Sequence, residues 1–384
     1  MNSTNQSQMY STQPRITELE SIRGLAALLV AFSHIPLWNP RFAFSVVQNG
    51  YLMVELFFVL SGFVIYNAYH NKILNCRQFL GFQFLRLGRL YPVHFLFLIF
   101  FLVIEASKYV ALERYNLSLG TLPFERSNLN SFLQQLFLIQ AIGPTENANN
   151  FNVPAWSISV EFYTYMIFAL TLLYARGLKN TIFTALFIVS IAMLVSKETF
   201  GFPSLIRCTT GFFLGCMCAA IYQVKRFAMS PTISIISFLS VILFLLVKEI
   251  WEGDVFIYPL TALLIVTIVN TERGIFRVLL CSKALIWLGE RSYSIYMSHY
   301  GILWVFDVFL RRALKYPIIQ LNERPTVQLP LLEACVACLL AIGIVLIVSD
   351  VVYRVLEKPV REKSRHILLR TTLNPNQPDA RWIS

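Results

Sequence analysis

The stretch LESIRGLAALLVAFSH, residues 19–34, decides how the whole chain is read. It is apolar enough to enter a bilayer, yet Arg23 sits near one end and His34 at the other. Ionisable side chains are expensive in hydrocarbon and persist where they meet a partner, water or a substrate path. Outward from this stretch, apolar runs recur along most of the 384 residues. The chain is 56% hydrophobic and 14% charged, with a mean hydropathy of +0.60. Soluble domains sit nearer 45–50% apolar and about 25% charged. The composition therefore predicts an all-α, polytopic transmembrane helical bundle.

Spans are expected near 22–37, 51–69, 90–108, 157–175, 180–196, 205–222, 231–247, 255–270, 286–310 and 331–353. The segment SFLQQLFLIQAIG (131–143) is apolar but too short to cross unaided, so it reads as a short re-entrant or interfacial helix. A net charge of +11 reads here as topogenic lysine and arginine rather than as a nucleic-acid surface. If 131–143 does not cross and the N-terminus is cytoplasmic, twenty of the 32 basic residues fall inside and ten outside, with Arg207 and Arg291 within spans. That bias favours ten spans with both termini cytoplasmic; the loop RRALK after residue 310 runs against it. Residues 1–14 are polar, lack a signal-peptide pattern and read as a disordered cytoplasmic tail. Residues 15–360 form the membrane domain and 361–384 a basic cytoplasmic tail. Cys216/Cys218 and Cys335/Cys338 have no histidine or carboxylate nearby and read as small core residues, with no metal site implied.

Chemistry must then come from the bundle. Arg23 to His34 is eleven helical steps, about 16 Å along the axis. With the N-terminus inside, Arg23 lies at the cytoplasmic surface and His34 in the outer part of the bilayer, where an imidazole should face a cavity. Arg23 also reads as a snorkelling topology signal, and His34 as a packing or capping residue. Glu55, entering from outside in GYLMVELFFVLSGFVIY (50–66), falls at the depth of His34 and should pair or face water. In FLRLGRLYP (84–92), Arg86 and Arg89 are three positions apart. Aimed one way they would suit a phosphate-rich ligand; as a pair at a cytoplasmic boundary they also read as topology signals. In NVPAWSISVEFYTYMIF (152–168), Ser157, Glu161, Thr164 and Tyr165 recur at helical spacing as a polar stripe, which would equally serve as interhelical glue. In WLGERSYSIYMSHYGILW (287–304), Arg291, Ser294 and Ser298 share a face and His299 lies near mid-membrane.

Taken in order, these blocks resemble the integral-membrane acyltransferase family 3, whose members O-acylate sugars and other extracytoplasmic acceptors. Arg23 and His34 match its Arg-x10-His signature, and VELFFVLSGF, RLGR, PAWSISVEFYTY, LGERSYSIYMSHYGI and LEKPVR are similar to its later blocks, covering residues 19–363. The resemblance implies the single-domain type without a fused esterase-like domain. It also implies a bacterial inner membrane, an acyl-CoA co-substrate (most often acetyl-CoA) on the cytoplasmic side, and an extracytoplasmic carbohydrate or lipid-linked glycan acceptor. No permanently bound cofactor is implied. On that basis Arg86 and Arg89, with Arg23, would hold the donor phosphates. His34 would act as general base or as acyl carrier. Glu161, or failing it Glu55, would orient the imidazole. Ser157 and Tyr163 or Tyr165 would donate to the oxyanion, and His299 is a further supporting candidate. The competing reading is a proton-coupled transporter or lipid-linked sugar flippase, in which His34, Glu55 and Glu161 relay protons. A scaffold or receptor would leave these groups without work.

Overall fold

The computed structural model describes residues 16–119, 121–143, 146–248, 253–321 and 324–372. The polar tail 1–14, Arg15 and the last part of the basic tail, 373–384, lie outside the described residues.

Helix α1 (Thr17–Ser33) ends at His34, and a short turn α2 (Ser45–Gln48) leads into α3 (Met53–Tyr69). Helix α4 (Cys76–Tyr115) is capped at its start by the Asn75 side chain, which accepts from the Gln78 N–H at 2.9 Å. Then come α5 (Leu129–Leu136), α6 (Trp156–Tyr174), α7 (Lys179–Val195), α8 (Pro203–Val224), α9 (Pro231–Val247) and α10 (Ile257–Val269). Two short helices, α11 (Ile275–Leu280) and α12 (Lys283–Glu290), precede α13 (Ser292–Arg312). An antiparallel hairpin, β1 (Ile318–Leu321) and β2 (Arg324–Val327), is the one departure from an all-helical chain among the described residues. Finally α14 (Leu331–Val352) passes through a π-helical turn at Tyr353–Glu357 into α15 (Lys358–Thr372).

Helices occupy all ten intervals where spans are expected. Among the described residues, six helical stretches, containing α3, α4, α6, α7, α8 and α14, are long and apolar enough to cross a membrane; α9 and α10 are apolar but shorter. The chain is an integral membrane protein. The stretch expected to hold a short helix, 131–143, is helical over residues 131–136, the greater part of α5. One expectation changes. The expected span 286–310 breaks at Arg291, between α12 and α13. There the guanidinium stacks on Trp287 and Tyr353 and its Nε donates to Asp350 at 2.5 Å, so the chain turns to bring the charge to a partner.

The bundle has two distinct ends. At one, the Leu329 N–H donates to the Trp38 carbonyl, Asn49 donates to the Leu245 carbonyl, and Lys248 pairs with Asp254. At the other, Ser21 donates to the Leu280 carbonyl, Arg277 pairs with Glu18, and Lys179 donates to the His70 carbonyl. Helix α1 runs from the second end to the first, carrying Arg23 in its inner course and His34 at its close.

Between the ends, α3 and α8 press backbone to backbone. A Cβ at Gly62 would overlap the Phe212 carbonyl, and one at Gly215 would overlap that of Val59. Small residues permit this approach where lipid supplies no hydrophobic drive for association. Helix α15 folds back along α4: Ser364 fills the notch over Gly88, and Leu368 packs against Leu85. The segment read as a basic tail therefore braces the stretch of α4 that carries Arg86 and Arg89.

Candidate active site

Helices α1, α3, α4, α6 and α13 surround a cavity of about 640 Å³, its open mouth included. Helical spacing builds the polar wall. Ser157, Glu161 and Tyr165 stand four residues apart on α6, hence on one face, and all three line the cavity with Ser61 of α3 and Tyr293 and Tyr296 of α13. Arg23 from α1 and Arg89 from α4 complete it. Glu161 Oε1 accepts from Ser61 Oγ at 2.7 Å and from the Tyr165 hydroxyl at 2.5 Å. Opposite, the Tyr296 and Ser157 hydroxyls are 2.8 Å apart and both reach the Pro154 carbonyl. Val54, Phe57 and Phe58 supply an apolar wall.

Neither Arg23 nor Arg89 closes an ion pair or hydrogen bond among the described residues. Their charges are balanced at longer range by Glu161 and Glu20, and for Arg89 also by Glu357. Glu357 lies in the π-helical turn, is buried, and accepts from Ser294 Oγ at 2.6 Å. Two guanidinium groups that repel one another beside an apolar wall make a site for an anion with several oxygens.

His34 lies beyond the cavity. Its Nδ1 is 2.9 Å from the Val30 carbonyl, which accepts, so Nδ1 carries a proton. The ring lies 4.9 Å from that of His299 and 5.8 Å from that of Tyr300, centroid to centroid. His299 is fully buried and is held the same way, its Nδ1 donating to the Ile295 carbonyl at 3.1 Å while Nε2 has no partner. The two rings thus lie side by side, each oriented by a backbone carbonyl, with no carboxylate hydrogen-bonded to either among the described residues.

The arrangement of an arginine and a histidine on α1 around a Trp-Ser-x-Ser-x-Glu helix fits a known sequence family. Residues 16–350 match the acyltransferase domain of acyltransferase family 3. The chain belongs to that family. It is 26% identical over 395 residues to the O-acetyltransferase OatA of Staphylococcus aureus (strain NCTC 8325 / PS 47), covering 92% of this chain and 58% of that one. It is 25% identical over 380 residues to YrhL of Bacillus subtilis (strain 168), named provisionally as a peptidoglycan O-acetyltransferase, covering 90% of this chain and 55% of that one. A peptidoglycan O-acetyltransferase OatA of Listeria monocytogenes is 20% identical over 385 residues, or 90% of this chain and 56% of its own. The chain thus spans a little over half the length of these relatives. No solved structure matches it.

Within this acyltransferase-family chain, several residues singled out in the sequence are placed differently from expectation. Glu161 serves the cavity and does not bond His34. Glu55 does not either. It is buried against Arg207, whose Nε and Nη2 both donate to Oε1, and Arg207 in turn lies over the Trp156 ring at 4.6 Å. Arg86 and Arg89 do not share one space. Three helical steps leave their Cβ vectors about 60° apart, and Arg86 turns into a cage of Tyr69, Phe82 and Tyr165 rings, donating to the Tyr69 hydroxyl at 3.2 Å. Tyr163 is two steps from Glu161, on the opposite face, and its hydroxyl donates to the Phe137 carbonyl. Thr164 leaves the stripe for α8, donating to Cys208.

Other groups escaped the sequence reading. Ser61 is one of the few polar residues of α3, four positions before Ile65, a signal outweighed by Glu55. Tyr293 and Tyr296 read as part of a motif, yet their three-residue spacing puts both on the cavity. Arg291, Ser294 and Ser298 do share a face, and it meets one neighbour: Asp350, Glu357 and Ser349 in turn.

Proposed function

We propose that the chain is a membrane O-acyltransferase that takes an acyl group, acetyl in the first instance, from acyl-CoA and delivers it to a hydroxyl of an extracytoplasmic carbohydrate or glycolipid. The observation that carries this reading is the unpaired Arg23 and Arg89, brought from α1 and α4 into one cavity. They would hold the phosphates of the donor by charge-assisted hydrogen bonds. The names of the relatives support acetyl as the group transferred and a cell-wall glycan as the class of acceptor.

The two ends divide the labour. The end carrying Glu18 and Arg277 faces the cytoplasm, in keeping with the bias of basic residues, and the end carrying His34 faces outward across a bacterial inner membrane. At His34, Nε2 accepts the proton of the acceptor hydroxyl as that oxygen attacks the thioester carbonyl. The C–O bond forms, the C–S bond breaks, and the thiolate of CoA recovers the proton. The Val30 carbonyl, in place of a carboxylate, fixes the tautomer. His299 offers a second lone pair next to the first.

Sealed vesicles holding the full chain, given acetyl-CoA labelled in the acyl group on one side, test the proposal. Label should appear on glycan of the opposite face. Label remaining wholly in thioester, with glycan unmodified, would overturn it, and movement of lipid-linked sugar without thioester consumption would put a flippase in its place.

A further inference from the structure

The cavity stops short of His34, and what stops it is aromatic. Phe57 and Tyr296 line the cavity, whereas His34 and His299 do not. The rings of Phe57 and Tyr296 meet edge to face at 5.7 Å; Tyr296 lies 5.9 Å from His299, and His299 4.9 Å from His34. The two residues differ in how they are held. Tyr296 is tethered by Pro154 and Ser157, both through its hydroxyl. Phe57 has no polar anchor and is only partly buried.

Phe57 also faces two ways. It borders the cavity on one side and packs on the other against the cluster holding Ala27, Ala31 and Ile295. On α1, Arg23, Ala27, Val30, Ala31 and His34 fall within a strip about 100° wide. Two alanines thus leave the helix shallow along the line that joins the arginine to the histidine, and Phe57 packs against the cluster to which both alanines belong.

Resting on the acyl-CoA reading above, we propose that Phe57, turning against the fixed Tyr296, is the residue that sets the length of acyl group this protein transfers. A two-carbon acyl group passes along the alanine strip when the ring rotates. A longer chain needs the volume of the ring itself, and a packed aromatic wall rejects extra methylenes by overlap. The substrate class assigned is therefore short acyl thioesters, acetyl above all.

The test uses the full chain in bilayer nanodiscs, with acetyl-, butanoyl- and hexanoyl-CoA as donors and an N-acetylglucosamine tetrasaccharide as acceptor probe. Donor binding and thiol release are both measured. Wild type should favour acetyl-CoA over hexanoyl-CoA in kcat/KM by about tenfold or more. Phe57→Ala should shrink that ratio about tenfold, with Phe57→Leu between the two. Should the alanine variant fail to run as a single species on size exclusion, the leucine variant decides. A wild type indifferent to chain length, or a selectivity that neither variant moves, would overturn the proposal. Wild-type protein that neither binds nor cleaves any of the three donors would instead overturn the acyl-CoA reading beneath it.

Discussion

The arginine cavity and the histidine pair are built on opposite terms. In the cavity, charges are incompletely matched: among the described residues Arg23 and Arg89 stand without direct partners, while Glu161 is taken up by Ser61 and Tyr165. At the pair, backbone carbonyls orient both rings. On the function proposed above, the contrast separates binding from chemistry: surplus guanidinium charge in the cavity would hold a polyanion, and an imidazole Nε2 at the pair would take a proton. The family's Arg-x10-His spacing puts one foot of α1 in each region.

The largest expected effect tests whether chemistry belongs to the pair. His34→Ala should lower acyl transfer by about 10²–10⁴-fold while expression and membrane insertion hold, as followed by glycan acylation and by membrane fractionation. Were Glu161→Gln instead to abolish transfer with His34→Ala mild, the division of labour would be reversed.

Next comes the arginine pair. Arg89→Ala should raise the apparent KM for acyl-CoA by about tenfold or more, the worth of a charged hydrogen bond. Arg86→Ala should leave that KM nearly unchanged and lower the melting temperature, because it empties an aromatic cage rather than a ligand site. Equal KM effects from both would return Arg86 to the donor site.

Away from both regions, Arg207→Met strands the buried Glu55 carboxylate and should cost about 3 kcal/mol, read from thermal unfolding in detergent. The double variant Glu55→Gln with Arg207→Met should recover part of it. A single variant as stable as wild type would deny that the pair is structural. The smallest effect sharpens the comparison from outside it. Tyr163→Phe removes one hydroxyl from the far face of α6 and should change stability by less than about 0.5 kcal/mol and leave acyl transfer at the wild-type level. A marked loss of transfer would place Tyr163 in the machinery.

Much of the site was legible because helices impose a period. Ser157, Glu161 and Tyr165 read as one stripe and line one wall. The same rule would have set Tyr163 aside. Arg291, Ser294 and Ser298 read as one face and bond one neighbour. What failed were the pairings between helices. Glu161 and Glu55 read as partners for His34, whereas Ser61 and Tyr165 hold the first and Arg207 the second. Depth along a helix is readable from residue number, but rotation about its axis relative to a distant helix is not.

From its residues alone, this chain is a membrane-embedded helical protein with costly groups at set heights. Apolar run length and the price of burying charge are local quantities, summed along the chain without knowing the packing. Which helices touch is a different matter. Gly62 and Gly215 let α3 meet α8, α15 folds back on α4, and Phe57 comes to pack against the cluster that holds Ala27 and Ala31 of α1. Those contacts arise from mutual shape between segments far apart in sequence. Tertiary structure alone decided that Arg89 faces the cavity while Arg86 does not, and that the ring beside His34 is a second imidazole.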